Sequence, residues 1–102
     1  MGLLGNLLGR KNEAAQNLIN EGAVIIDVRT PGEFAGGKVA GSKNIPLNEI
    51  QKRENEIMKI DKPIVFCCAS GGRSGQATSY FKSKGLNCEN GGGWMTVNGM
   101  VK

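Results

Sequence analysis

Residues 64–84 read IVFCCASGGRSGQATSYFKSK, and this stretch decides the fold. Residues 64–67 are continuously apolar, which is typical of a strand buried on both faces of a parallel sheet. A glycine-rich segment follows from Cys68 to Ser74, and residues 76–84 have the apolar spacing of a helix. A strand, a glycine-rich turn and a helix in this order predict an anion-binding loop at the carboxyl end of the strand.

The rest of the chain alternates helix and strand in the same way. The pattern predicts strands over residues 23–26, 43–46 and 86–89, and helices over 13–20 and 48–59. We expect Asn12 to cap the first helix, and Asn48 with Gln51 to form a capping box on the second. Residues 30–41 are predicted as a loop with at most one helical turn, and residues after 93 as a tail.

This alternation indicates an α/β fold. We expect a three-layer sandwich in which a central, mostly parallel sheet of about five strands is flanked by helices. The length of 102 residues suits one domain, so we expect a flexible N-terminal segment over 1–11 and a single domain over 12–102. The apolar stretch at residues 1–9 is too short to cross a bilayer, and no stable membrane insertion is expected.

Charge and composition exclude several classes of function. The net charge is only +4, with the thirteen Lys and Arg residues scattered along the chain, which argues against a nucleic-acid binder. The chain has no His and three Cys, so no metal site and no cofactor are expected. An odd number of cysteines, two of them adjacent, does not indicate a disulfide framework and favours a reducing compartment, which we take to be the cytoplasm.

Cys68 is the candidate nucleophile. It lies where a strand ends and a helix is about to begin, and unpaired N–H groups with the helix dipole lower the pKa of a thiol at such a place. Because the chain has no His, the thiolate has to be stabilised by its surroundings alone. The alternative is an inert buried cysteine, which is our interpretation of Cys67 and Cys88.

The loop after Cys68 is the candidate substrate-binding segment. Small residues let successive N–H groups turn inward around an anion, and a planar guanidinium suits a tetrahedral oxyanion. The candidate binding residues are Ala69, Ser70, Gly71, Gly72, Arg73 and Ser74. Asp27 and Arg29 follow the strand over 23–26, so they are expected at the same edge of the sheet as Cys68.

Two motifs in this sequence resemble those of the rhodanese family, in its single-domain form. One is IDVRTPGEF at residues 26–34, continued by GKVAGSKNIP at 37–46, and the other is CASGGRS at 68–74. With the following helix and Gly92-Gly93, the resemblance covers about residues 13–97. Lys38 stands where the family commonly has His, and Trp94 follows the glycine pair sooner than the usual tryptophan.

The resemblance implies a rhodanese-like sandwich and a sulfurtransferase. It implies that Cys68 takes a sulfane sulfur from a small anionic donor such as thiosulfate and carries it as a persulfide. The sulfur would pass to cyanide, a thiol or a protein, while Arg73 binds the donor. Asp27 and Arg29 match positions that brace the site through ion pairing, which implies a supporting role.

Two alternatives remain open at the level of sequence. Counted from Cys67, the chain has the Cys-x5-Arg-Ser spacing of cysteine phosphatases and some arsenate reductases, with Arg73 as the anion ligand. The other alternative is a non-catalytic rhodanese-like binding module, since one fold hosts many functions.

Overall fold

The computed structural model describes residues 13–101. The segment over 1–11 and the Asn12 cap therefore lie outside the described residues. The strands are β1 (Val24–Asp27), β2 (Lys43–Asn44), β3 (Ile64–Cys68) and β4 (Cys88–Gly93). The helices are α1 (13–20), α2 (Pro31–Gly36), α3 (Glu54–Met58), α4 (Gly72–Lys82) and α5 (Trp94–Met100), with a 3-10 turn at Leu47–Glu49.

The four strands form one parallel sheet in the order β2-β1-β3-β4. The prediction of a central parallel sheet is confirmed, but the expected count of about five strands is one too many for residues 13–101. The two apolar runs of strand length in the sequence, residues 23–26 and 64–67, correspond to β1 and β3. The central pair, β1 and β3, is in register from Val24 opposite Ile64 to Asp27 opposite Cys67. Both strands therefore end at the same edge of the sheet.

Each face of the sheet has its own apolar core. Side chains of β3 alternate between the faces, so Phe66 and Cys68 pack with α3 and α4, while Val65 and Cys67 pack with α1 and α5. Phe66 stacks on Phe81 of α4 with ring centroids 5.6 Å apart. This arrangement is the three-layer sandwich that the sequence predicts.

The helix predicted over 48–59 is wrong in its first half. The chain forms the 3-10 turn and then α3, and Asn48 makes no side-chain cap at either start. Leu47 N donates to the carbonyl of Val28 at 3.0 Å, which ties this segment to the end of β1. A tertiary hydrogen bond thus overrides the local helical pattern.

Two further elements differ from the sequence prediction. Helix α4 begins at Gly72 and not at residue 76, so Arg73 and Ser74 belong to its first turn. The predicted tail after residue 93 is helix α5, and β4 continues to Gly93. Within residues 13–101, no helix combines the length and the apolar character needed to span a membrane.

Strand β4 reaches α5 through a bulge. Phe66 pairs with Asn90 but Cys67 pairs with Gly92, so Gly91 is the extra residue. A Cβ at Gly91 would lie 2.5 Å from Val97 Cγ2. Glycine is therefore required here for packing, since α5 lies directly on the strand.

Gly91→Ala is expected to lower the free energy of unfolding by about 1–3 kcal/mol, because the new methyl group overlaps Val97. Gly99→Ala is the matched control: its Cβ meets nothing within 4 Å inside α5, and we expect a gain of roughly 0.5 kcal/mol. Urea unfolding of both variants measures this difference. Equal stabilities would contradict the packing argument.

Candidate active site

Cys68 is the last residue of β3, and only Ala69, Ser70 and Gly71 separate it from α4. The tight connection requires Gly71, whose φ of +104° lies in the left-handed region and whose Cβ would lie 3.3 Å from Gly92 Cα. The turn therefore places the Cys68 side chain at the N-terminus of α4, where N–H groups have no partner within the helix.

Three donor groups, from Gly71 and from the first turn of α4, lie within hydrogen-bond distance of the Cys68 sulfur. Gly71 N lies 3.0 Å from Sγ, and the N and Oγ atoms of Ser74 each lie 3.4 Å from it. Cys68 is only 1% exposed, so few water molecules can replace these donors. The arrangement stabilises negative charge on sulfur.

The pKa of Cys68 is lowered to about 7 by a balance of opposing effects. Burial alone raises the pKa of the thiol, because it disfavours the charged form. Hydrogen bonds from the Ser74 hydroxyl and from the N–H groups of Ser74, Gly71 and Ser70 outweigh burial. About half of Cys68 is therefore thiolate at neutral pH, without a histidine.

The surroundings of Cys67 and Cys88, unlike those of Cys68, disfavour a thiolate. Burial raises the pKa of Cys67 to about 12, with a further contribution from the charge of Asp27. Burial likewise raises the pKa of Cys88 to about 11. Cys67 is 0% exposed and lies on the face of the sheet opposite Cys68. Neither thiol has the surroundings of a nucleophile.

Asp27 and Arg29 form a buried ion pair at the end of β1. Arg29 Nη2 lies 2.7 Å from Asp27 Oδ2, and Arg29 Nε lies 2.9 Å from each carboxylate oxygen. The guanidinium also donates to the carbonyls of Glu33 and Gly37 and lies 5.0 Å from the Trp94 ring centroid. Arg29 thus joins β1, the α2 region and α5.

The ion pair reaches the Cys68 loop indirectly. Asp27 pairs in register with Cys67, so its side chain lies on the face away from Cys68. The link is Glu33, whose carbonyl accepts from Arg29 and whose carboxylate accepts from both Arg73 Nη1 and Nη2, at 2.8 and 3.1 Å. The bidentate bond with Arg73 is the main cause that lowers the pKa of Glu33 to about 2.

The predicted binding residues divide into two groups. Gly71 and Ser74 face the sulfur, while Ala69, Ser70 and Gly72 are exposed at the mouth of the loop. Arg73 is paired with Glu33, so its guanidinium already has an anionic partner. An apolar cavity of about 260 Å³ lies beside Arg73.

Within residues 13–101, no cluster of three or more Cys, Asp or Glu could hold a metal ion.

Asn90 also contacts the Cys68 loop, although the sequence pattern does not indicate it as a site residue. Its Nδ2 donates to Gly71 O at 3.0 Å, and its Oδ1 accepts from Gly92 N at 2.9 Å and from Ser74 Oγ at 2.7 Å. In sequence, Asn90-Gly91 is typical of a turn, and nothing there indicates a contact with the Cys68 loop 19 residues earlier. For Glu33, the only sequence signal that it pairs with Arg73 is its negative charge.

The whole arrangement lies inside a region that matches one family model. The rhodanese-like domain model matches residues 11–96. The chain belongs to the rhodanese-like domain family. The resemblance found in the two sequence motifs is therefore confirmed.

Curated proteins and solved structures are similar to this chain. The uncharacterized protein YqhL of Bacillus subtilis is 44% identical over 63 residues, and a sulfurtransferase of Allochromatium vinosum is 38% identical over 65 residues. These matches cover 62% and 64% of this chain but only 49% and 60% of the relatives, so the chain spans about half the length of the curated relatives it matches. The structure of reduced Bacillus anthracis CoADR-RHD superimposes with a TM-score of 0.71 at 34% identity, covering 87% of this chain and 16% of that one.

The pKa of Cys68 predicts a pH dependence for its alkylation. A thiolate reacts and a thiol does not, so the rate with iodoacetamide should rise about tenfold from pH 6 to pH 8, with its midpoint near pH 7. Alkylation is quenched at fixed times, and tandem mass spectrometry then assigns the label to a residue. Label on Cys67 or Cys88 in this range, or a midpoint above pH 8, would contradict the geometry described.

Proposed function

We propose that the protein is a rhodanese-type sulfurtransferase that carries a sulfane sulfur as a persulfide on Cys68. The observation that carries the proposal is the set of donors on the Cys68 sulfur, which lowers the pKa of Cys68 to about 7. The same donors suit a persulfide, because its negative charge also lies on sulfur. Membership of the rhodanese family supports this reaction class.

The reaction with thiosulfate has two balanced steps. The Cys68 thiolate attacks the outer sulfur of thiosulfate, a sulfur–sulfur bond to Cys68 forms, and sulfite leaves with the electron pair of the broken bond. An acceptor nucleophile, either a thiolate or cyanide, then attacks the outer sulfur of the persulfide. The acceptor leaves as a persulfide or as thiocyanate, and the Cys68 thiolate is restored. Neither step requires a cofactor.

Arg73 is the residue we assign to binding of the anionic donor. It lies in the first turn of α4, next to Ser74, and the charge of Cys68 acts on it. Glu33 pairs with its guanidinium, so the donor has to displace a carboxylate that stays ionised at neutral pH. Asp27 and Arg29 are assigned a supporting role, since Arg29 fixes the backbone of Glu33.

The phosphatase or reductase alternative would use Cys67 with Arg73. Against it, Cys67 is buried among the apolar residues that face α1 and α5, and its pKa is raised to about 12. A binding module would not need the low pKa of Cys68.

Three free cysteines fit a reducing compartment such as the cytoplasm, where the acceptor is a small thiol or a protein thiol.

Mass spectrometry after incubation with thiosulfate tests the proposed function. We expect a gain of one sulfur atom on Cys68, which is lost when cyanide is added. The Cys67→Ala variant should still gain the sulfur and the Cys68→Ala variant should not. No adduct on Cys68, together with turnover of an aryl phosphate that requires Cys67, would refute the proposal in favour of the phosphatase alternative.

Glu33→Gln is expected to lower the KM for thiosulfate roughly threefold, because it removes the carboxylate that competes for Arg73. Glutamine retains the capping box with Thr30 at the start of α2, so the helix should be unaffected. Steady-state kinetics with cyanide as acceptor measures the change. Glu56→Gln is the control, since it neutralises a carboxylate paired with Arg53 and not with Arg73. A higher KM in Glu33→Gln would mean that Glu33 orients Arg73 for the donor.

A further inference from the structure

Asn90 connects β4 to Gly71 and Ser74, the two residues that supply the three short contacts to the Cys68 sulfur. The residue lies opposite Phe66, immediately before the bulge at Gly91, and so its side chain lies on the face of α4. One side-chain atom contacts Gly71 and the other contacts Ser74. Gly71 and Ser74 supply the three donor atoms that lie within 3.4 Å of Cys68 Sγ.

The orientation of the Asn90 amide is set by two backbone groups. Gly71 presents a carbonyl to Nδ2, and Gly92 presents an N–H group to Oδ1. A flipped amide would place an NH2 group against the Gly92 N–H and an oxygen against the Gly71 carbonyl. The atom that faces the Ser74 hydroxyl is therefore an acceptor, and Ser74 must be the donor in that bond.

The Ser74 hydroxyl has one proton and two acceptors. Asn90 Oδ1 lies 2.7 Å from Ser74 Oγ, which is the usual distance of a strong hydroxyl bond, whereas Cys68 Sγ lies 3.4 Å away. When the proton points to Asn90, only the lone pairs of Oγ face the sulfur. That arrangement suits a neutral thiol and opposes a charged sulfur. When the proton turns to sulfur, it stabilises the charge, and the bond to Asn90 is lost.

We propose that Asn90 is a positioning residue for Cys68, whose side-chain oxygen competes with the cysteine sulfur for the single proton of the Ser74 hydroxyl. The charge state of the sulfur and the direction of the hydroxyl are thereby coupled. As it concerns the free thiol of Cys68, the proposal does not depend on the proposed function. As it concerns a persulfide on Cys68, it rests on the proposed function. The other titratable groups that act on Cys68 are Arg73 on α4, paired with Glu33 on α2, and Cys67 on β3.

The test compares Asn90→Leu in two backgrounds, with Ser74 and with Ser74→Ala. Leucine is similar in size and has no acceptor, so the Ser74 proton is released to the sulfur. Gly71 O keeps its bond from Gly75 N at 2.9 Å, which preserves the start of α4. With Ser74 present, we expect Cys68 alkylation by iodoacetamide at pH 6 to be about two- to threefold faster than in the unaltered protein. In Ser74→Ala, the same substitution should leave the rate unchanged.

Thr78→Val is the matched control, because it removes a neighbouring buried hydroxyl that donates to Ser74 O and not to sulfur. Its alkylation profile should match that of the unaltered protein. If Asn90→Leu slows alkylation, leaves it unchanged, or accelerates it equally in both backgrounds, the proposal is wrong. Asn90→Ala replaces Asn90→Leu if circular dichroism shows that the leucine variant is unfolded. Because alkylation needs no sulfur donor, its outcome is independent of whether the protein forms a persulfide.

Discussion

The N–H groups of Gly71 and Ser74 converge on the Cys68 sulfur because only three residues separate β3 from α4. Gly71 adopts the left-handed conformation in this connection, which glycine does without the steric cost of a Cβ. The resulting donors face a sulfur that is almost fully buried. Their hydrogen bonds offset the cost of burying a charge, which is why a thiolate is stable without a histidine or a metal ion.

The surrounding structure holds that turn from two sides. On the side of β4, Gly93 lies so close to the loop that a Cβ would be 2.8 Å from Ala69 O, and Asn90 bonds to Gly71. On the side of α2, Glu33 holds Arg73 and is itself held by Arg29. The buried Asp27 beside Arg29 satisfies the guanidinium, so a charge can be used as a structural link inside the fold.

The parts of the fold that depend on local pattern could be predicted from the sequence. The apolar runs of β1 and β3 and the small residues after Cys68 each indicate their structure without reference to distant residues. The start of α4 could not be predicted, because Gly71 and Gly72 have low helix propensity and because Gly71 is held by a hydrogen bond from the distant Asn90. The role of Asn90 depends on a bulge in β4, and that bulge depends on how α5 packs on Gly91. The partner of Arg73 is similarly set by the position of α2, 40 residues earlier.

Strand alternation gives the two adjacent cysteines very different redox chemistry. Because burial raises the pKa of Cys67 to about 12 while hydrogen bonds lower that of Cys68 to about 7, almost all of the thiolate at neutral pH is on Cys68. An oxidant therefore meets one reactive thiol. Because Cys67 points to the opposite face of β3, it cannot approach a sulfenic acid on Cys68 unless the strand is broken. Cys88 lies opposite Ile64, at the other end of β3 from Cys68, so it cannot reach that sulfur either. Recovery from oxidation then depends on a thiol supplied from outside the chain.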